Sequence, residues 1–317
     1  MAGAMVKRAL KIGLGCVLVL FAVLILLGLA KSDRLDIPAS ARGQTVTIDG
    51  VKIRYLQKGS GRDLLLIHGT PSSLEEWEPV FDRWSSKYHV TAYDRPGHGY
   101  SSPAAGETGI DYNADMARRL MEELHLHDVL VVGHSYGGAV ALKLAADDNS
   151  PATGFVIVAS TVYPNGEPYA ALGRLLRLPL VGCGVAVALE ALGGGIVRKG
   201  VEQGFHPDER MIPPGYIEKR QKIWLQPKVT LTVAREMETQ VRQLSALAAR
   251  YPSINRPVSI AMGGDDLPHR VAGSERLARE IPGAQLTVIP HAGHMLQFTR
   301  PDELTALVDA AAATPAR

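Results

Sequence analysis

The sequence predicts an α/β fold: a mostly parallel central sheet with an N-terminal antiparallel hairpin, helices on both faces, a helical cap insertion and an N-terminal transmembrane helix. Three observations carry this. Short apolar runs alternate with helical runs from residue 63 to 159 and again from 257 to 312, the pattern of strands buried on both faces of a sheet. Asp49-Gly50 separates two strand-like runs by two residues, a strong hairpin signature. Between 161 and 256 the alternation lapses into helical stretches with Gly and Pro and no convincing strand.

The first element is residues 12–30, IGLGCVLVLFAVLILLGLA, 19 residues without a charge. About 20 apolar residues span a bilayer as a helix, and this run has no polar face to turn toward water. Lys7, Arg8 and Lys11 precede it, so the N-terminus is expected to stay cytoplasmic and the remainder to be exported, although Lys31 and Arg34 place positive charge on the far side too. The run exceeds the usual signal-peptide core of about 7–15 residues, which favours an uncleaved single-pass anchor. Gly28 and Ala30 offer a cleavage site for the alternative, a secreted or periplasmic protein. Residues 1–31 are therefore a signal anchor or signal peptide, and 32–43, with Pro38, a polar linker.

Strands are predicted over 45–48 and 51–57, flanking Asp49-Gly50, and over 63–67, which ends at His68-Gly69. Residues 75–86 place Trp77, Val80, Phe81 and Trp84 at helical spacing. A strand over 88–93, a helix over 112–124, a strand over 128–132, a small-residue helix over 136–146 and a strand over 154–159 follow. After the insertion come a strand over 258–262, a helix over 271–281, a strand over 285–289 and a helix over 301–312. The core is thus 44–160 and 251–317, with a helical insertion over 161–250 and Gly193–Gly195 a break within it.

Composition narrows the function. A chain of 317 residues with 46% hydrophobic and 21% charged residues can build one large domain with an insertion. A net charge of +2 and the lack of a basic stripe with interleaved aromatics exclude nucleic acid as the expected partner. There are two cysteines, Cys16 and Cys183. Cys16 lies in the apolar run, so no structural disulfide is expected. No Cys/His cluster has metal-ligand spacing, and neither metal nor organic cofactor is expected.

The chemistry centres on Gly133-His134-Ser135-Tyr136-Gly137, a G-x-S-x-G pentapeptide between a strand and a helix. A serine on so sharp a turn sits at strained dihedrals, and flanking glycines remove the collisions that side chains would cause. A nucleophilic serine needs a base, which His294 or His291 offers after the last strand. It needs an acid to orient that base, and Asp265 or Asp266 follows the preceding strand. It also needs two oxyanion donors. Tyr136 N–H is free at a helix start, and Thr70 N–H lies on the loop after strand 63–67.

With Ser, Asp and His in that chain order, residues 44–313 resemble the α/β-hydrolase fold family. The resemblance rests on His68-Gly69-Thr70-Pro71, on Tyr93-Asp94-Arg95-Pro96-Gly97-His98-Gly99-Tyr100-Ser101, on the serine pentapeptide, on Gly263-Gly264-Asp265-Asp266 and on Gly293-His294. It implies a structural rather than chemical role for the Asp94–Ser101 loop. It implies Asp266 as the acid, three residues after Gly263, and His294, followed by Pro301, as the base. It also implies a cap, over 161–250, that shapes the pocket. Serine rather than aspartate at 135 disfavours epoxide hydrolase and haloalkane dehalogenase chemistry, and the oxyanion loop lacks the Gly-Gly-Pro-Gly of proline iminopeptidases. The expected activity is cleavage of a small-molecule carboxylic ester, with lipophilic esters among the expected substrates, by a membrane-tethered Ser-His-Asp hydrolase. Amide cleavage, acyl transfer, haloperoxidase or perhydrolase chemistry, and a non-catalytic binding protein on the same scaffold are the alternatives.

Overall fold

In the computed structural model, which describes residues 2–32, 37–38, 41–104, 106, 108–165 and 170–314, Asp49 and Gly50 both adopt positive φ (47° and 79°). That geometry matches the twist of a two-residue hairpin, and it joins β1 (Gln44–Ile48) to β2 (Val51–Lys58) with Ile48 opposite Val51. Six further strands follow: β3 (Asp63–Ile67), β4 (His89–Tyr93), β5 (Val129–His134), β6 (Ala152–Val158), β7 (Val258–Gly263) and β8 (Gln285–Ile289). They form one sheet in the order β1-β2-β4-β3-β5-β6-β7-β8, antiparallel at β1/β2 and β2/β4 and parallel elsewhere.

The helices are α1 (Ala2–Ser32), α2 (Glu78–Trp84), α3 (Ile110–Glu123), α4 (Tyr136–Ala146), α5 (Ala170–Arg177), α6 (Val181–Leu192), α7 (Gly194–Phe205), α8 (Tyr216–Trp224), α9 (Pro227–Ala248), α10 (Pro268–Glu280), α11 (Leu296–Thr299) and α12 (Pro301–Ala313). Alternate residues of one strand feed opposite layers. Leu65, Ile67, Val129 and Val131 pack with α3 and α4, whereas Leu64, Leu66, Leu130 and Val132 pack with α2 and α12. Each such fully buried aliphatic side chain stabilises the fold by roughly 1.5–3 kcal/mol.

Several boundaries differ from the sequence reading. The helix expected over 75–86 opens as a 3₁₀ turn, Leu74–Trp77, because Pro79 enters the first turn of α2. α10 likewise begins at Pro268 rather than 271. β5 runs on to His134, since Gly133 and His134 still pair with Ile157 and Val158 of β6. α3 starts two residues early so that Ile110 is buried. Within 161–250 no strand forms among the described residues; residues 166–169 lie outside them, as do 33–36 and 39–40 of the expected linker. α6 and α7 meet at Gly193 with a 72° bend, which is where the sequence placed a break.

α1 is one continuous helix, and Met5–Ser32 is long and apolar enough to cross a membrane. It leaves most of its side chains exposed but packs its C-terminal part on α6. A Cβ on Gly28 would strike the Cys183 backbone, one on Gly184 would touch Ile25 and Phe21, and Lys31 Nζ lies 2.5 Å from Glu190 Oε2.

Candidate active site

β5 delivers Ser135 to the carboxyl edge of the sheet, at the start of α4. Its backbone is held at φ 53°, ψ −119°, a region that a side chain rarely adopts. Ser135 N–H donates to Val158 O at 2.9 Å, and Ser160 Oγ donates to Ser135 O at 2.6 Å, which fix the turn. The flanking glycines are required by close approach: a Cβ on Gly133 would meet the Gly137 carbonyl, and one on Gly137 the Ile67 and His68 carbonyls. The loop after β3 lies directly against this turn, since a Cβ on Gly69 would be 3.0 Å from Ser135 Cβ. Among the described residues, the N–H groups of Thr70 and Tyr136 have no acceptor within the protein.

The loops after β7 and β8 are stitched together by Gly264 N–H to Ile289 O (2.8 Å) and Asp265 N–H to Ala292 O (2.9 Å). This brings Asp266 Oδ2 to 2.8 Å from His294 Nδ1. Asp266 is buried, and its other oxygen accepts from Leu267 N–H and from Arg270 Nη1 at 2.9 Å. The competing pair does not form such a contact: Asp265 and His291 are exposed, 4.0 Å apart and turned to solvent. Ser135 and His294 line one cavity of about 790 Å³, whose other walls are the loop at Gly69–Thr70 and apolar residues of α5, α7 and α9. No hydrogen bond joins their side chains among the described residues; such contacts are commonly long without substrate and tighten on binding.

The electrostatics follow from burial and neighbours. Burial and the nearby Arg270 cation hold His294 well below its ordinary value, to about 4, against the opposing pull of Asp266. Burial raises the Asp266 carboxyl, but His294 and Arg270 outweigh it and keep the group ionised far below the usual carboxylate range.

Three sets of contacts in this site join residues that no single motif connects. Arg270, in the first turn of α10, reaches both members of the Asp266–His294 pair, its Nη1 lying 3.1 Å from His294 Nδ1. His134 places Nδ1 2.8 Å from Glu76 Oε1 and Nε2 3.0 Å from the His294 carbonyl oxygen, so its ring bridges the 3₁₀ turn before α2 and the loop after β8. Burial would raise Glu76, but the His134 ring brings its carboxyl down to about 2, and it also receives Gly69 N–H at 3.1 Å. Glu236, on α9, is fully buried and gathers Arg95, His98 Nε2 (3.1 Å), Asn113 Nδ2 (3.0 Å) and the Thr70 hydroxyl (2.9 Å). Asp94 and His98, expected to be structural, are buried in hydrogen bonds away from Ser135: Asp94 accepts Leu74 and Tyr100 N–H, each at 2.7 Å. Among the described residues no cluster of His, Cys, Asp and Glu is arranged to hold a metal.

A profile of the Alpha/beta hydrolase family matches residues 64–307. The chain belongs to that family. An acetyltransferase component of an acetoin-cleaving system from Cupriavidus necator is 29% identical over 280 residues, 85% of this chain and 69% of that protein. An (E)-2-((N-methylformamido)methylene)succinate hydrolase from Acinetobacter baylyi is 24% identical over 266 residues, 81% of this chain and 92% of that enzyme. Among solved structures, an alpha/beta hydrolase fold protein from Burkholderia ambifaria superposes with a TM-score of 0.72 at 22% identity, covering 87% of this chain and 98% of that one. Membership of the alpha/beta hydrolase family, with hydrolases among the relatives, makes the protein an enzyme.

Proposed function

We propose that this enzyme cleaves carboxylic esters through a serine acyl-enzyme and is held at a membrane by α1. The observation that carries the reading is the buried Asp266–His294 pair sharing a cavity with Ser135, whose strained turn lies against the Gly69–Thr70 loop. Ser135 Oγ attacks the ester carbonyl while His294 Nε2 takes its proton. Asp266 holds the imidazole with Nδ1–H toward itself and stabilises the imidazolium. The carbonyl oxygen becomes an oxyanion and accepts the N–H groups of Thr70 and Tyr136. His294 then gives the proton to the departing alkoxide. In the second half it removes a proton from water, which attacks the acyl-enzyme and returns Ser135 with a free acid. Each turnover uses one water and leaves the enzyme unchanged.

The contact between α1 and α6 supports an anchor over a cleaved signal, because removal after Ala30 would strip α6 of its packing partner. Lys7, Arg8 and Lys11 support a cytoplasmic N-terminus with the catalytic part exported. The test is Ser135→Ala in the full chain. The expected result is loss of p-nitrophenyl acetate turnover by about 10⁴-fold or more and loss of fluorophosphonate labelling, with an unchanged circular dichroism spectrum. Labelling that survives in the variant overturns the reading. Turnover by the wild type of an amide, or of halide with peroxide, at a rate above that of every ester would replace it.

A further inference from the structure

The cap has two kinds of leucine. Leu172 and Leu176 of α5, Leu189 of α6 and Ile196 of α7 line the cavity that holds Ser135 and His294. Leu175, Leu178, Leu180 and Leu192 belong to the same helices and their joints but point outward, between 46% and 83% exposed. Leu175, Leu178 and Leu180 follow one another closely at the α5–α6 joint, and exposed large aliphatic side chains so close together mark a surface that meets an apolar partner. The packing of α1 identifies the partner. Lys31 and Glu190 pair where α1 ends, whereas the first turn of α6 packs at Gly28 and Ile25. At 1.5 Å per residue, Ile25 lies about 9 Å deeper along α1 than Lys31. If α1 crosses a bilayer, the start of α6 and the leucines just before it, Leu178 and Leu180, sit at that depth. An apolar face buried to about 5–10 Å is what an interfacial helix presents to acyl chains. Arg174, Arg198 and Lys199 are exposed on α5 and α7, Arg198 lying 3.9 Å from Glu202 and 4.0 Å from Glu218, and long basic side chains of this kind can hold their charged heads in a phosphate layer.

We infer that the α5–α7 edge of the cap is seated in the acyl layer of the membrane leaflet and that the cavity takes a long-chain acyl ester directly from that leaflet. This rests on the ester-hydrolase reading and names its substrate class. Ile196 marks the route, being 45% exposed and a wall of the cavity at once. A chain entering there passes between Leu172, Leu176 and Leu189 and brings its ester to Ser135 without crossing water. The apolar side chains of α5, α6 and α7 that line the cavity then replace the acyl layer around the chain, and the ester meets Ser135 and His294.

The experiment uses the full chain in phosphatidylcholine vesicles, with α1 intact in every sample, so that attachment to the membrane is constant. Leu175→Gln, Leu178→Gln, Leu180→Gln and Leu192→Gln are combined, and p-nitrophenyl palmitate dissolved in the vesicles is compared with water-soluble p-nitrophenyl acetate. The expected result is a fall in palmitate turnover of about tenfold or more, with acetate turnover within about twofold of wild type. Equal palmitate turnover overturns the inference. So does cross-linking of the wild type into dimers that the variant loses, since the leucines would then cover a second copy. Acetate turnover separates failures: its absence in the wild type removes the hydrolase reading itself. Its loss in the variant alone reports misfolding, in which case Leu178→Gln with Leu180→Gln is read by the same criterion.

Discussion

Thr70 Oγ1 donates to Glu236 Oε2 at 2.9 Å, so the loop beside Ser135 and the long cap helix α9 share one buried carboxylate. Burial would raise the Glu236 carboxyl, but the Arg95 cation and the hydrogen bond with His98 Nε2 outweigh it and keep the group ionised far below the usual carboxylate range. Glu236→Gln keeps the shape but leaves Arg95 without a counter-charge. The expected cost is about 3 kcal/mol of stability, with kcat down about tenfold and KM near wild type, because Thr70 N–H loses its alignment. Thermal unfolding by circular dichroism and steady-state kinetics check this. A stability loss with unchanged kcat would make the network structural only.

Asp265 and Asp266 are neighbours in sequence with opposite surroundings, one exposed and one held against His294. Asp266→Asn is expected to lower kcat by roughly 10⁴, because the amide favours the wrong imidazole tautomer. Asp265→Asn is expected to remain within about twofold of wild type, as an exposed substitution. Ester kinetics on the two variants side by side decide the assignment, and equal losses would refute it.

In the proposed mechanism His294 must be neutral to accept a proton, and its site holds it at about 4 rather than 6.5. The acid limb of kcat/KM is therefore expected near pH 4, with full activity at pH 6. The sign for stability is the same: the folded state resists protonating this ring, so its contribution is complete above pH 6.5 and declines as pH falls from 6.5 toward 4. Arg270→Gln removes the cation that disfavours the imidazolium, and the limb is expected to move to higher pH. A limb that stays in place would mean that burial alone sets the value.

Gly69→Ala adds a methyl 3.0 Å from Ser135 Cβ and 3.3 Å from His134 Nδ1, close contacts that the loop or these side chains must relieve by moving a few tenths of an ångström. Displacing one oxyanion donor costs about 10²–10³ in kcat, and a loss in that range is expected here with the fold retained. Kinetics with a melting curve test it; an unaltered kcat together with a lowered melting temperature, which shows that the methyl strains the loop, would mean that the loop carries no donor.

What the sequence by itself determined is what local backbone chemistry encodes. Asp49-Gly50 specifies a hairpin because both residues accept positive φ, and the alternation of apolar strands and helices specifies a sheet covered on both faces. The glycines around Ser135 announce a strained turn because no other residue fits beside the Ile67, His68 and Gly137 carbonyls. The apolar run before Lys31 announces a helix long enough for a bilayer. Tertiary structure decided what depends on residues far apart in the chain. Arg95 and Glu236 are 141 positions apart, Glu76 and His134 are 58, and Lys31 and Glu190 are 159. No periodicity records such pairs, because a buried charge is satisfied by whichever partner the fold brings within 3 Å. Likewise Asp265 and Asp266 differ in sequence by one position, and only the close approach of the loops after β7 and β8 turns one toward His294 and leaves the other in water.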